Sequence, residues 1–300
     1  MASIGARIIR RGLRRIIKPT EVDERFVTRL RRRTSGQPVP TFPRRGIERQ
    51  VIGPGEFGRA GGEMLRVTGA TRHLLYLHGG YYLAGSPKMY RSLTGHLARA
   101  LEANVVVPEY RLAPENPYPA AVDDAVGAYR ALLEAGVDPA AIAVAGDSAG
   151  GGLALAMLVR ARTTGLAMPA AAVLLSPWTD LSGSAPSVAR NDTADDMLSA
   201  DALRYAAACY AGSHDRSDPE LSPIHADLTG LPPLFVTVDD SEILLDDALG
   251  LAERVRGLGG RVTLRRSTGL FHVWPIVVPV LREARETVAD IVAFLDAELA

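Results

Sequence analysis

Cysteine is almost missing from this chain. Its 300 residues include one, Cys209. No internal disulfide can form, and a four-cysteine zinc site or a Cys-x-x-Cys redox pair is excluded. The Ala-rich, helical setting of Cys209 predicts a buried thiol with no chemical task. A reducing compartment fits such usage, and the cytoplasm is the expected location. Long apolar runs are missing too. No stretch reaches the roughly 18 apolar residues that a membrane span needs. Arginines interrupt the opening MASIGARIIRRGLRRIIKPT before it forms the apolar core of a signal peptide. Lysine is scarce, only Lys18 and Lys88, so arginine carries nearly all the positive charge. Net charge is zero, with 34 basic side chains against 34 acidic ones, and no nucleic-acid partner is expected. The six histidines show no metal-ligand spacing such as His-Glu-x-x-His, so no metal is expected.

What is present is enough for one large globule. Hydrophobic residues make up 47% of the chain, the composition of an ordinary packed protein. The zero net charge hides an asymmetry. Residues 1–50 hold 14 Lys and Arg against 4 Asp and Glu; the rest holds 20 against 30. This basic end reads as a separate helical unit. Ile9, Leu13, Ile16 and Ile17 follow the i, i+4, i+7, i+8 spacing of one helix face, with Arg7, Arg10, Arg11, Arg14 and Lys18 on another. Pro19 ends that helix. Residues 21–33 read as a second helix, and Pro38, Pro40 and Pro43 mark a linker. The chain is therefore divided into an N-terminal helical segment, 1–50, and a catalytic domain, 51–300.

From about residue 60 onward, apolar runs alternate with longer helical patterns. The predicted strands are 73–77, 104–107, 141–145, 171–175, 234–238 and 262–265. Helices are predicted near 88–102, 120–135, 149–164, 200–210, 243–258 and 280–298. Such alternation argues for an α/β fold, a mostly parallel central sheet with helices on both faces.

The chemistry is carried by three features in one order. Gly146-Asp147-Ser148-Ala149-Gly150 follows an apolar strand and opens a helix, the setting of a nucleophile elbow. There the tight turn strains the serine backbone, and the start of the helix favours developing negative charge. His78-Gly79-Gly80-Tyr81 follows an earlier strand. Acyl transfer passes through an oxyanion that needs preorganised N–H donors, and a Gly-rich turn can aim consecutive amides at one point. The expected donors are Gly80, Tyr81 and Ala149. His78 is read as a brace for this loop. Third, Glu242 and His272 follow Ser148, each just past a predicted strand. The order is then nucleophile, acid, histidine, at the strand ends where open α/β sheets place their sites. The expected triad is Ser148, Glu242 and His272. Tyr82 and Trp178 are candidate pocket residues, while Trp274 reads as core.

At these residues the chain resembles the bacterial hormone-sensitive-lipase-like esterases, from about residue 70 to 275. HGGYYLAGS (78–86) is similar to the family's HGGG stretch, and EYRLAPENPYPA (109–120) to its strand-to-helix segment. GDSAGG spans the elbow, and SPIHADLTGLPP (222–233) resembles the segment before the acid's strand. The resemblance implies an α/β-hydrolase core with a small helical cap built largely from the N-terminus, to which residues near 180–215 add. It also implies hydrolysis of short-chain esters without metal or organic cofactor, and relatives of this kind act on acetylated small molecules or lactones. Two positions depart from the family. Tyr81 stands at the third glycine, where a side chain resists positive φ. Glu242 stands where the family commonly has aspartate, which leaves Asp246, four residues on, as the fallback acid.

The expected function is thus carboxylester hydrolysis by a serine nucleophile, with a small ester as the only required partner and room left for a homodimer. The alternatives are a lactone or acetyl-group hydrolase and a non-catalytic small-molecule receptor of the same fold. The basic N-terminal helix reads as a cap helix with solvated arginines in preference to a membrane-surface anchor.

Overall fold

A computed structural model describes residues 2–19, 21–23, 25–36, 46–56 and 58–300. The linker expected at Pro38, Pro40 and Pro43 lies outside them. Eight strands form one sheet: β1 Ile47–Ile52, β2 Gly62–Val67, β3 Arg72–Leu77, β4 Ala103–Pro108, β5 Ile142–Asp147, β6 Ala171–Leu175, β7 Leu234–Asp239 and β8 Val262–Ser267. Their spatial order is β1-β2-β4-β3-β5-β6-β7-β8. The pairs β1/β2 and β2/β4 are antiparallel, and all later pairs are parallel. The helices are α1 Ile4–Ile16, α2 Phe26–Thr34, α3 Pro87–Ala100, α4 Ala120–Glu134, α5 Ala149–Thr163, α6 Pro186–Arg190, α7 Ala200–Ala211, α8 Leu245–Gly257 and α9 Arg282–Glu298.

Two apolar cores sandwich the sheet. On β3, Leu75 and Leu77 join one core while Leu74 and Tyr76 join the other, as the two-residue period of a strand requires. The first core takes in α4, α5 and α8; the second takes in α3 and α9. Strands covered on both faces read as unbroken apolar runs, and β4, β5, β6 and β7 are buried along their whole length. Helix α5 sits against the middle of the sheet and is buried from Ala149 through Val159. An all-round apolar helix of this kind is a core helix. It fixes the start of α5, and so Ser148, at the carboxyl end of the central strand β5.

Three sequence expectations need correcting. The division drawn at residue 50 cuts strand β1, which begins at Ile47. In α1, Ile16 does not share the inward face with Ile9, Leu13 and Ile17; it is 63% exposed. Its slot lies at the edge of the apolar arc, and the bulk of the protein reaches only the opposite edge. Cys209 is half-buried, not fully buried.

Candidate active site

The turn between β5 and α5 is built by close backbone approach. Ser148 has φ 53° and ψ −122°, a strained conformation of the kind that collects at functional sites. Four hydrogen bonds hold it there. Its N–H donates to the Leu175 carbonyl at 2.8 Å, and its carbonyl accepts from Gly151, Gly152 and Trp178 N–H at 3.0, 3.1 and 2.9 Å. A side chain at Gly150 would place Cβ 2.1 Å from the Leu77 carbonyl oxygen, so only glycine lets α5 start this close to β3.

Glu242 lies in the turn after β7, and His272 in the loop after β8. His272 Nδ1 and Glu242 Oε2 are 2.7 Å apart. The other carboxylate oxygen, Oε1, accepts from Ser176 Oγ–H at 2.8 Å and Asp239 N–H at 2.7 Å. Both side chains are almost fully buried. Burial pushes the Glu242 carboxyl upward against the pull of His272. For His272, burial opposes the imidazolium, but the hydrogen bond and charge of Glu242 outweigh it and leave the pKa raised above the ordinary value. Asp246 is elsewhere. It accepts from Ser187 N–H at 2.8 Å and pairs with Arg190 at 3.0 Å, in the first turn of α8.

The loop after β3 carries the expected oxyanion donors. Gly80 has φ 130°, and a Cβ there would sit 2.1 Å from the Ala84 carbonyl oxygen. Tyr81 does adopt the left-handed region, with φ 62°, at a cost of about 1–2 kcal/mol. Its ring is buried edge-on against Phe26 of α2, centroids 6.1 Å apart. Among the described residues, the N–H groups of Gly80, Tyr81 and Ala149 meet no acceptor. His78 Nδ1 lies 2.9 Å from the Gly79 carbonyl, and its ring stacks on Tyr110 at 4.3 Å, the bracing geometry expected of it. Burial lowers its pKa to about 4, so the ring is neutral.

Sequence reasoning missed the group that joins this loop to the elbow. Asp147 Oδ1 accepts from Gly79 N–H and Tyr76 O–H, both at 2.9 Å, and Oδ2 accepts from Tyr90 O–H at 2.9 Å. Burial raises the Asp147 carboxyl to about 6, and the bonds from Tyr90, Tyr76 and Gly79 hold it from going higher. The only sequence signal was the aspartate next to the serine, and no spacing relates it to Tyr76 or Tyr90. Ser176, which steadies Glu242, was missed for the same reason.

Ser148, His272, Gly80 and Tyr81 line one cavity of about 260 Å³. Its opposite wall comes from the N-terminal segment, with Leu13, Ile17, Phe26 and Leu30, and from Met197 and Leu198 just before α7. Tyr82 and Trp178 do not line it, contrary to the sequence expectation. Tyr82, also at positive φ, turns its ring the other way onto Tyr210 of α7, stacked at 3.8 Å. Trp178 packs beside Tyr82 and donates from Nε1 to the Asp180 carbonyl at 3.0 Å. Trp274 is core and donates to Thr287 Oγ1. Among the described residues no cluster of His, Cys, Asp and Glu could hold a metal ion, and no helix is long and apolar enough to cross a membrane.

The sheet order, the strained serine at its centre and the acid–histidine pair past β7 and β8 define a hydrolase of the α/β class. Residues 74–276 match the α/β-hydrolase fold family. The chain belongs to that family and, within it, to the bacterial hormone-sensitive-lipase-like esterases. An acetyl-hydrolase of Streptomyces hygroscopicus is 46% identical over 224 residues, 75% of each chain. An esterase of Acinetobacter venetianus is 35% identical over 238 residues, 79% of this chain and 78% of its own. A solved esterase from the bacterial hormone-sensitive lipase family superposes with a TM-score of 0.90 at 36% identity, over 100% of both chains. The protein is thus an enzyme of the esterase and acetyl-hydrolase type.

Proposed function

We propose that this enzyme cleaves small carboxylic esters of short acyl chains through a Ser148–His272–Glu242 triad and an acyl-enzyme. The observation that carries the reading is the 2.7 Å contact between His272 Nδ1 and Glu242, with His272 and Ser148 on one cavity wall. Glu242 accepts the Nδ1 proton, which leaves Nε2 free as a base toward the cavity. His272 Nε2 takes the proton from Ser148 Oγ as Oγ bonds to the ester carbonyl carbon. The amides of Gly80, Tyr81 and Ala149 hold the oxyanion; being fixed before the reaction, they need no reorganisation as charge develops. The C–O bond to the alcohol breaks as His272 returns its proton to the leaving oxygen. Water, deprotonated by His272, then attacks the acyl-enzyme and frees the acid and Ser148. No metal or organic cofactor enters these steps.

Helices α1 and α2, with Met197 and Leu198 before α7, act as the cap over this cavity. At about 260 Å³ the cavity falls just below the roughly 300 Å³ at the lower end of drug-sized sites. Tyr81 adds bulk beside the nucleophile. Both features favour acyl groups of about two to six carbons. The same small cavity supports a second reading, removal of an acetyl group from a small metabolite, in keeping with the name of the Streptomyces hygroscopicus relative. The test is a series of p-nitrophenyl esters from acetate to palmitate. The expected kcat/KM peaks at the short end; a peak on long-chain, micellar esters overturns the assignment.

A further inference from the structure

Helix α1 has two faces with different work. Inward, Leu13 and Ile17 line the cavity and Ala6 is buried. Arg10 pairs with Asp196, and Lys18 donates to the carbonyls of Asp192 and Asp195. Those contacts account for the helix as a cap element. Outward, Ile4, Ile8 and Ile16 are 69%, 65% and 63% exposed. They make up half of the strongly exposed large hydrophobic side chains among the described residues, and Val280 adds a fourth nearby. The loop that carries Val280 runs into α9, whose Glu283 accepts from Ser3 N–H at the start of α1.

Charge on this outer face has one sign. Arg7, Arg11 and Arg15 are exposed and form no ion pair among the described residues. The helix contains no acidic residue. At 3.6 residues per turn, Ile4, Ile8, Arg11 and Arg15 fall within about 60° of one another. Scattered exposed apolar side chains need no explanation, but Ile4 and Ile8 on one face, interleaved with unpaired arginines and flanked at the side of the helix by exposed Ile16, mark an interaction surface. A purely acidic partner would leave the isoleucines in water, and a purely apolar one would bury unpaired guanidinium groups. An anionic lipid surface satisfies both, taking isoleucine side chains at the headgroup–acyl boundary and arginines on lipid phosphates.

We infer that α1 docks this esterase on an anionic bilayer through Ile4, Ile8, Ile16, Arg7, Arg11 and Arg15. Docked in this way, the lipid surface and the cavity stand on opposite sides of one helix, about 10 Å apart.

Vesicle sedimentation of the full chain tests this without any ester. Vesicles of phosphatidylcholine with phosphatidylglycerol should pull the protein down; vesicles of phosphatidylcholine alone should not. An arginine near an anionic leaflet contributes a factor of about five in partitioning. The Arg7→Gln/Arg11→Gln/Arg15→Gln variant should therefore bind on the order of a hundredfold more weakly. The Ile4→Ser/Ile8→Ser/Ile16→Ser variant should also lose binding. Both should keep wild-type turnover of a water-soluble ester, which shows that they fold. Ser148→Ala should bind vesicles like the wild type, so failure of the catalytic assignment is read separately. Three results overturn the inference: wild-type protein left in the supernatant with anionic vesicles, undiminished binding by either triple variant, or a dimer that the isoleucine variant converts to monomer. The last would assign the face to a second copy.

Discussion

Replacing Glu242 by Gln changes little in shape and much in chemistry. The carbonyl oxygen of the new amide can keep accepting from Ser176 and Asp239, which now bond Oε1 at 2.8 and 2.7 Å. Its amide nitrogen then faces His272 Nδ1 as a donor, where the carboxylate stood at 2.7 Å. The imidazole must accept at Nδ1 and carry its proton on Nε2, the wrong tautomer for a base toward Ser148. The comparable loss in serine-protease triads is about 10⁴ in kcat, or about 5.4 kcal/mol of transition-state stabilisation. Asp246→Asn is the control. It weakens an ion pair with Arg190, whose side chain is 52% exposed, and removes a charge from the first turn of α8. Each of these is worth about 0.3–1 kcal/mol of stability, and kcat should stay within about twofold, since 0.4 kcal/mol is roughly a factor of two. Initial rates on p-nitrophenyl acetate, with melting curves to confirm folding, decide the matter. A crippled Asp246→Asn beside a near-normal Glu242→Gln would refute the reasoning and move the acid by one helical turn.

Three further outcomes follow from the same geometry. The proposed general base, His272, acts in its neutral form, and its pKa lies above the ordinary 6.5 because Glu242 outweighs burial. The acid limb of the kcat/KM profile should therefore sit above pH 6.5 and move to lower pH in Glu242→Gln; an unmoved limb would show that another group titrates. Tyr90→Phe removes the hydroxyl that donates to Asp147 and lies 3.1 Å from Gly79 N–H. It should lower kcat about tenfold, the ~1.4 kcal/mol of one buried hydrogen bond, with KM little changed and affinity for a boronic-acid transition-state analogue falling in parallel. A loss confined to KM would contradict a role in positioning the oxyanion loop. Tyr81→Gly relieves the strain at φ 62° and opens the cavity beside Phe26, so the ester-series optimum should shift to longer acyl chains; an unchanged optimum would mean that Tyr81 does not bound the acyl site.

Much of the fold could be read in advance because its inner strands are covered on both faces. Runs such as IAVAGD and LFVTVD are apolar enough to stand out without any alternation. β1 and β2 escaped notice because IERQVI and GEMLRV mix charged and apolar residues, and β1 is largely exposed at the sheet edge. The elbow was legible because its glycines answer to contacts with local backbone. The Asp147–Tyr76–Tyr90 group was not, since those residues are 71 and 57 positions apart and meet only after β3, α3 and β5 assemble. Tyr82, a candidate pocket residue, directly follows Tyr81. Both backbones are left-handed, yet Tyr82 stacks on Tyr210 while Tyr81 meets Phe26. Ile16 shows the limit of helical periodicity: spacing sorts residues by face but does not say how wide an arc the protein will cover.

The central claim, that Ser148 is the nucleophile, is tested most directly by covalent labelling. Ser148 is only 8% exposed, so a small reagent such as phenylmethylsulfonyl fluoride is the right size. Peptide mass spectrometry should find one sulfonyl adduct, on the peptide containing Gly146-Asp147-Ser148-Ala149-Gly150, with activity lost in proportion to labelling. The folded Ser148→Ala protein should take no label and should lose about 10⁶ in kcat. An adduct on another residue that accounts for the inactivation, or near wild-type turnover by folded Ser148→Ala, would contradict the account.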